Sequence, residues 1–297
     1  MTRIRGIVPP ITTPFDARED LDEGALRAEV RYLVEVAGVH GLAVGGSTGE
    51  GHTLSTDELR YIVGATVEET QGRVPVVAGI IVDSTRQAVE RSRALSDLDV
   101  AALQITPVHY LFRPDDSMMH SHFATIADRV GIPIIVYNVV PWAYCSPELL
   151  VRIIDQVEGV IGVKQSASDL KLLADLLLML GDRGLIMSAV DALLYPSFCL
   201  GAHGAIAAIL TAVPTLCVQL WDAVRAGNHA EALDLHARLL RIWNAITGDN
   251  LPANVKYAME LQGRAAGLPR SPMPVSSPLQ KGAIQNALKM AGYQVNG

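Results

Sequence analysis

Lysine is scarce in this 297-residue chain, five residues against nineteen arginines. Cysteine is scarcer still: Cys145, Cys199 and Cys217 are widely spaced and odd in number, and no C-x-x-C pair occurs. That excludes a disulfide framework and a zinc signature, and predicts reduced thiols in a cytoplasmic protein. Positive charge is in deficit, 24 basic side chains against 31 acidic, for a net charge of −7. Neither nucleic acid nor an anionic membrane is therefore expected as a partner. No membrane span is expected either, because the most apolar stretch, 204–221, is broken by Pro214 and carries Thr211, Thr215 and Gln219. It reads as a buried strand followed by a helix. The N-terminus, Met1-Thr2-Arg3-Ile4-Arg5, runs on to Pro9, Pro10 and Pro14 without the apolar region of a signal peptide. Also missing are a glycine-rich dinucleotide fingerprint after the first strand and the Gly-Lys-Ser/Thr ending of a P-loop. No nucleotide cofactor is predicted.

What is present is a repeating pattern. Hydrophobic content of 49% with only 19% charged residues excludes disorder as the main state. Short β-rich apolar runs at 6–11, 41–46, 74–80, 100–106, 132–138, 160–166, 185–190 and 204–209 alternate with amphipathic stretches such as 23–36, 56–69, 85–95, 147–154 and 170–180. Ser55 before Glu58 and Ser84 before Gln87 fit capping boxes. Eight strands alternating with helices predict a parallel sheet closed into an α/β TIM barrel, (β/α)8; a doubly wound open sheet is the alternative. After residue 210 only helical patterns follow, at 214–226, 229–248, 253–263 and 278–292. The expected organisation is a barrel core over 1–210, its eighth helix extending to about 226, and a C-terminal helical extension over 227–297.

Four of the five lysines, Lys171, Lys256, Lys281 and Lys289, fall in segments that read as helices or tails with access to water. Lys164 alone sits in a strand-like run, Val160-Ile161-Gly162-Val163-Lys164-Gln165-Ser166. Burial disfavours a charged amine, and a neutral, positioned amine attacks carbonyl carbon to form a Schiff base. The alternative is a lysine that snorkels into a salt bridge. Active sites of (β/α)8 barrels lie at the carboxyl ends of the strands, where the pattern puts Lys164. By the period of two it shares a face with Gly162 and Val160, and Gly162 would leave space beneath it. Tyr137 ends the fifth run, beside Asn138, and is either a proton-shuttling phenol or a core tyrosine. The second run enters Gly45-Gly46-Ser47-Thr48-Gly49-Glu50-Gly51, whose amides and hydroxyls can cradle an oxyanion, a carboxylate by preference; otherwise it is a plain glycine-rich turn.

Gly46-Ser47-Thr48-Gly49-Glu50, Tyr137-Asn138 and Gly162-Val163-Lys164, with Pro9-Pro10-Ile11-Thr12-Thr13-Pro14-Phe15 and Gly201-Ala202-His203-Gly204-Ala205-Ile206, together resemble the dihydrodipicolinate synthase/N-acetylneuraminate lyase family over essentially the whole chain. The resemblance implies a homotetrameric (β/α)8 class I aldolase that needs no cofactor or metal and holds pyruvate as a Schiff base. It implies Lys164 as the nucleophile, Tyr137 as the proton-transfer phenol, Ser47 in the relay, and Gly46, Ser47 and Thr48 around the substrate carboxylate. Ile206 falls where a backbone carbonyl faces pyruvate, and Asn138 and Trp142 become substrate-binding candidates.

Two departures bear on the reaction. The synthase branch carries an arginine shortly after the Tyr-Asn pair to hold a second carboxylate, whereas 139–151 here contains none. Trp142 and Tyr144 stand there instead and favour either a more apolar or aromatic partner or simple loop packing. After the fourth run, Thr106-Pro107-Val108-His109-Tyr110 leaves His109 or Tyr110 for the relay residue that the family sends into a neighbouring subunit. His120 and His122, with Asp115 and Asp116, read as a solvated helix rather than a metal site; His52 and His203 lie near strand ends. The expected protein is an aldolase, or hydratase-aldolase, joining or cleaving a 2-oxo acid and an aldehyde. Dihydrodipicolinate synthesis, sugar-acid cleavage, a metal-dependent barrel reaction and non-catalytic 2-oxo-acid binding are the alternatives.

Overall fold

The computed structural model describes residues 4–295; positions 1–3, where no signal peptide is read, and 296–297 lie outside the described residues. Eight strands, β1 Gly6–Ile7, β2 Leu42–Val44, β3 Val76–Ile80, β4 Ala102–Ile105, β5 Ile134–Asn138, β6 Val160–Gln165, β7 Leu185–Ser188 and β8 Gly204–Ala205, form one parallel sheet. From β2 to β8 each strand pairs with its sequence neighbour, and β8 returns to pair with β1. Closure between β1 and β2 runs through residues just past β1: Ala43 N–H donates to the Pro9 carbonyl, and Ile11 N–H to the Ala43 carbonyl, both at 2.9 Å. The fold is the expected (β/α)8 barrel. Its first strand is shorter than the apolar run 6–11 because Pro9 and Pro10 have no N–H to give a ladder.

Alternation along the strands separates two cores. Val8, Ala43, Val77, Ala102, Ile135, Met187 and Ile206 fill the barrel, while Val44, Leu103, Val136, Val163 and Ile186 face the helices. Strand β6 departs from strict alternation. Ile134 pairs with Val160 but Ile135 with Gly162, so Ile161 is an extra residue in a bulge. Val160 consequently packs in the outer core and Ile161 against the inner one. Lys164 thus does not share its face with Val160, as a simple period of two predicts. Nor does Gly162 leave a void: a Cβ there would stand 2.1 Å from the Leu185 carbonyl oxygen, so the glycine lets β6 and β7 approach.

The helices around the barrel include α1 Glu23–Arg31, α2 Thr56–Thr70, α3 Thr85–Arg93, α4 Asp116–Val130, α5 Pro147–Gln156, α6 Leu170–Leu180, α7 Leu194–Cys199 and α8 Ile209–Ala212. Helix α2 begins with the complete Ser55/Glu58 capping box. On α3 only half forms, since Ser84 Oγ accepts from Gln87 N–H while Gln87 Oε1 accepts from the Ser84 hydroxyl instead of its backbone N–H. Beyond α8 run α9 Pro214–Arg225, α10 His229–Ile246, α11 Leu251–Glu260 and α12 Pro278–Met290. Among the described residues no helix is long and apolar enough to cross a membrane.

One sequence expectation fails here. Lys256, on α11, does not reach water; it is 1% exposed and ranks among the largest fully buried side chains. Buried lysines are therefore two, with different surroundings.

Candidate active site

The pairing of β5 with β6 sets Tyr137 beside Lys164 at the carboxyl end of the barrel. Lys164 is 3% exposed, and its Nζ lies 3.7 Å from the centre of the Tyr137 ring. The Tyr137 hydroxyl is 3.0 Å from Ser47 Oγ. Amine, phenol and hydroxyl thus cluster, drawn from β6, β5 and the loop after β2, with the amine on the ring face and the phenol oxygen on Ser47.

That loop is a tight turn. Glu50 N–H donates to the Ser47 carbonyl and Gly51 N–H to the Gly46 carbonyl, each at 3.0 Å. Its glycines are there for close approach: a Cβ on Gly51 would stand 1.9 Å from the Gly45 carbonyl oxygen, and one on Gly49 2.8 Å from that of Ile11. The turn holds the Ser47 and Thr48 side chains at the edge of a cavity of about 310 Å³, shared with Tyr137, Lys164, Ile206, Ala207, Ala208, Val139, Leu251 and Pro252. Larger cavities of about 550 and 570 Å³ lie beside the 270–275 connector and at the opposite, amino-terminal end of the barrel. Neither is lined by the amine, so chemistry rather than size marks the smaller one.

Lys164, Tyr137, Ser47, Thr48 and Ile206, all candidates from sequence, come together in this cavity. Others do not. Asn138 is fully engaged elsewhere: its amide donates to the Cys145 carbonyl at 3.1 Å and to Gln165 Oε1 at 3.2 Å, and accepts from Cys145 N–H at 2.9 Å. It fastens the loop after β5 and is not among the residues lining this cavity. Gly46 abuts the Gln104 carboxamide, 2.8 Å from where a Cβ would be. Trp142 is 70% exposed and donates its indole N–H to the His109 carbonyl at 3.0 Å. His109 leans on Asp83, and Tyr110 is 67% exposed; neither lines the cavity of this chain.

The histidines also fall differently from expectation. His122 is buried, not solvated; its Nδ1 is 2.9 Å from Thr85 Oγ1, and burial pushes its pKa down to about 4. His203 lines the amino-terminal cavity, away from Lys164. Among the described residues no group of three or more His, Cys, Asp or Glu is placed to hold a metal.

Sequence reasoning missed Asp191. It follows β7 in Ser188-Ala189-Val190-Asp191 and lines the cavity, where its Oδ1 accepts the Ile209 N–H at 2.8 Å. Burial pushes its carboxyl up to about 6, opposed by backbone N–H groups and by the Lys164 ammonium. A carboxylate just past a barrel strand was the signal that could have found it. Lys164 and Asp191 are the charged side chains among the described lining residues, and no arginine joins them.

Comparison with known proteins places the chain in a family. The family model for the dihydrodipicolinate synthetase family matches residues 3–291. The 4-hydroxy-tetrahydrodipicolinate synthase of Methanopyrus kandleri is 34% identical over 298 residues, covering 99% of each chain. Among solved structures, CdNal from Clostridium difficile in complex with mannosamine superposes with a TM-score of 0.89 at 27% identity, over 98% of this chain and 100% of that one. The chloride-inhibited dihydrodipicolinate synthase of Acinetobacter baumannii complexed with pyruvate gives 0.91 at 26% identity, over 98% and 99%.

Proposed function

Because the chain belongs to the dihydrodipicolinate synthetase family and is a class I aldolase, we propose that it joins or cleaves pyruvate, or a close 2-oxo acid, and an aldehyde that carries no second anionic group. Lys164 adds to the ketone carbon, and the carbinolamine loses water to give the protonated imine, which serves as electron sink for the adjacent carbon. Tyr137, with Ser47 behind it, relays protons to and from the carbinolamine and the aldehyde oxygen. Ser47 and Thr48 receive the 2-oxo acid's carboxylate. One observation supports this above others: the Lys164 amine stands 3.7 Å over the Tyr137 ring, and that phenol touches Ser47. The partner's character is argued from the wall beyond, where Val139, Ala207, Ala208, Leu251 and Pro252 offer no guanidinium and Asp191 would repel a carboxylate.

Borohydride reduction in the presence of pyruvate tests the chemistry. A reduced adduct located on Lys164 by peptide mass, absent in Lys164→Ala, is the expected result; an unmodified Lys164 refutes it. A panel of aliphatic, aromatic and hydroxylated aldehydes together with aspartate semialdehyde, read by product mass, tests the partner. The name of the Methanopyrus relative favours a second reading, 4-hydroxy-tetrahydrodipicolinate synthesis. Efficient turnover of aspartate semialdehyde would establish that reading and overturn the first.

A further inference from the structure

The second buried lysine is tied to the loop that carries Ser47 and Thr48. Lys256 Nζ lies 2.7 Å from Glu50 Oε1, the two side chains being 2% and 0% exposed. Lys256 also donates to the Leu268 carbonyl at 2.6 Å, and Glu50 Oε2 accepts the Arg270 N–H at 2.9 Å. Glu50 is the last residue of the turn that begins at Ser47, and it holds a left-handed backbone at φ 55°, which a non-glycine residue keeps only when its surroundings enforce it. Helix α11, which bears Lys256, also sends Leu251 and Pro252 into the cavity wall. Breaking a buried pair leaves an uncompensated charge, so neither partner is free to move alone.

We infer that Glu50 and Lys256 are positioning residues for the 2-oxo acid: by clamping the end of the Ser47–Glu50 turn to α11, they hold the Ser47 and Thr48 donors at the spacing the carboxylate needs. Neither touches substrate. This rests on the Schiff-base reading, so the test contains a control for it. The unmodified protein, Glu50→Gln, Lys256→Met, Lys256→Arg and the double variant Glu50→Gln/Lys256→Met are trapped with borohydride over a range of pyruvate concentrations, with melting curves recorded alongside. In folded Lys256→Met the half-saturating pyruvate concentration rises roughly tenfold or more, while trapping at saturation falls by less than about threefold; Lys256→Arg recovers part of the loss. Unchanged half-saturation in folded variants overturns the inference, as does a loss at saturation with no change in half-saturation. If the single variants do not fold, the double variant, which leaves neither charge of this pair behind, decides by the same readout. The unmodified protein supplies a second measurement: pyruvate slows amide exchange in both 46–51 and 255–260, and protection confined to the loop refutes the clamp. Absence of trapping in the unmodified protein would instead sink the Schiff-base reading on which the clamp depends.

Discussion

At the scale of single residues the proposed site divides into groups assigned chemistry and groups that shape its electrostatics. In the proposed reaction, removing the Tyr137 hydroxyl interrupts the relay but leaves Lys164 in place. Tyr137→Phe is expected to lower kcat by about 10²–10⁴-fold, with the Lys164 adduct still trappable on long incubation; steady-state rates and adduct mass check both parts. Asp191 makes a stability prediction. Its carboxyl titrates near 6 in the fold against 3.8 for the ordinary group, so between those values the folded chain holds a proton that the unfolded chain has lost. Stability from this group therefore rises as pH falls from above 6 towards 4, and the buried anion weighs against the fold at pH 8. Asp191→Asn keeps an acceptor for the Ile209 N–H, and it should melt a few degrees above the parent at pH 8 and level with it at pH 4. Lys164, Tyr137 and Ser47 were legible because chemistry-bearing residues ended apolar runs. Lys256 was not, since its burial depends on a carboxylate 206 positions away.

At the scale of elements, periodicity located every strand, and hydrogen-bond supply set the ends. Pro9 and Pro10 shorten β1, as argued above. The bulge at Ile161 was invisible because an inserted residue in an all-apolar run leaves no break in hydrophobicity, yet it re-phases β6 so that Gly162 and Lys164 face inward. Gly162 is the element's tightest point. Gly162→Ala would press a methyl group on the Leu185 carbonyl and drive β6 from β7. A loss of about 1–3 kcal/mol by chemical denaturation is expected, with weakened pyruvate trapping because Lys164 rides on the displaced strand. An undisturbed denaturation midpoint would contradict the close packing described here.

At the scale of the whole molecule, Tyr110, Leu111, Phe112 and Trp142 are 67%, 87%, 62% and 70% exposed, and Trp142 joins the two loops through the His109 carbonyl. Clustered apolar side chains of this size mark association surfaces. We propose that another copy of the chain covers them, in keeping with the tetramer that the resemblance implies. Sedimentation velocity should then find an oligomer, and Leu111→Glu should shift it to smaller species; a monomeric parent protein would refute the assembly. The reach of the Lys256–Glu50 clamp has a temporal side as well. Glu50 emerges from the ribosome 206 residues before its partner, roughly 10–40 s earlier at synthesis rates of about 5–20 residues per second. The nascent chain thus carries this carboxylate through that interval without the lysine that pairs it, and the clamp we infer closes only as synthesis nears its end.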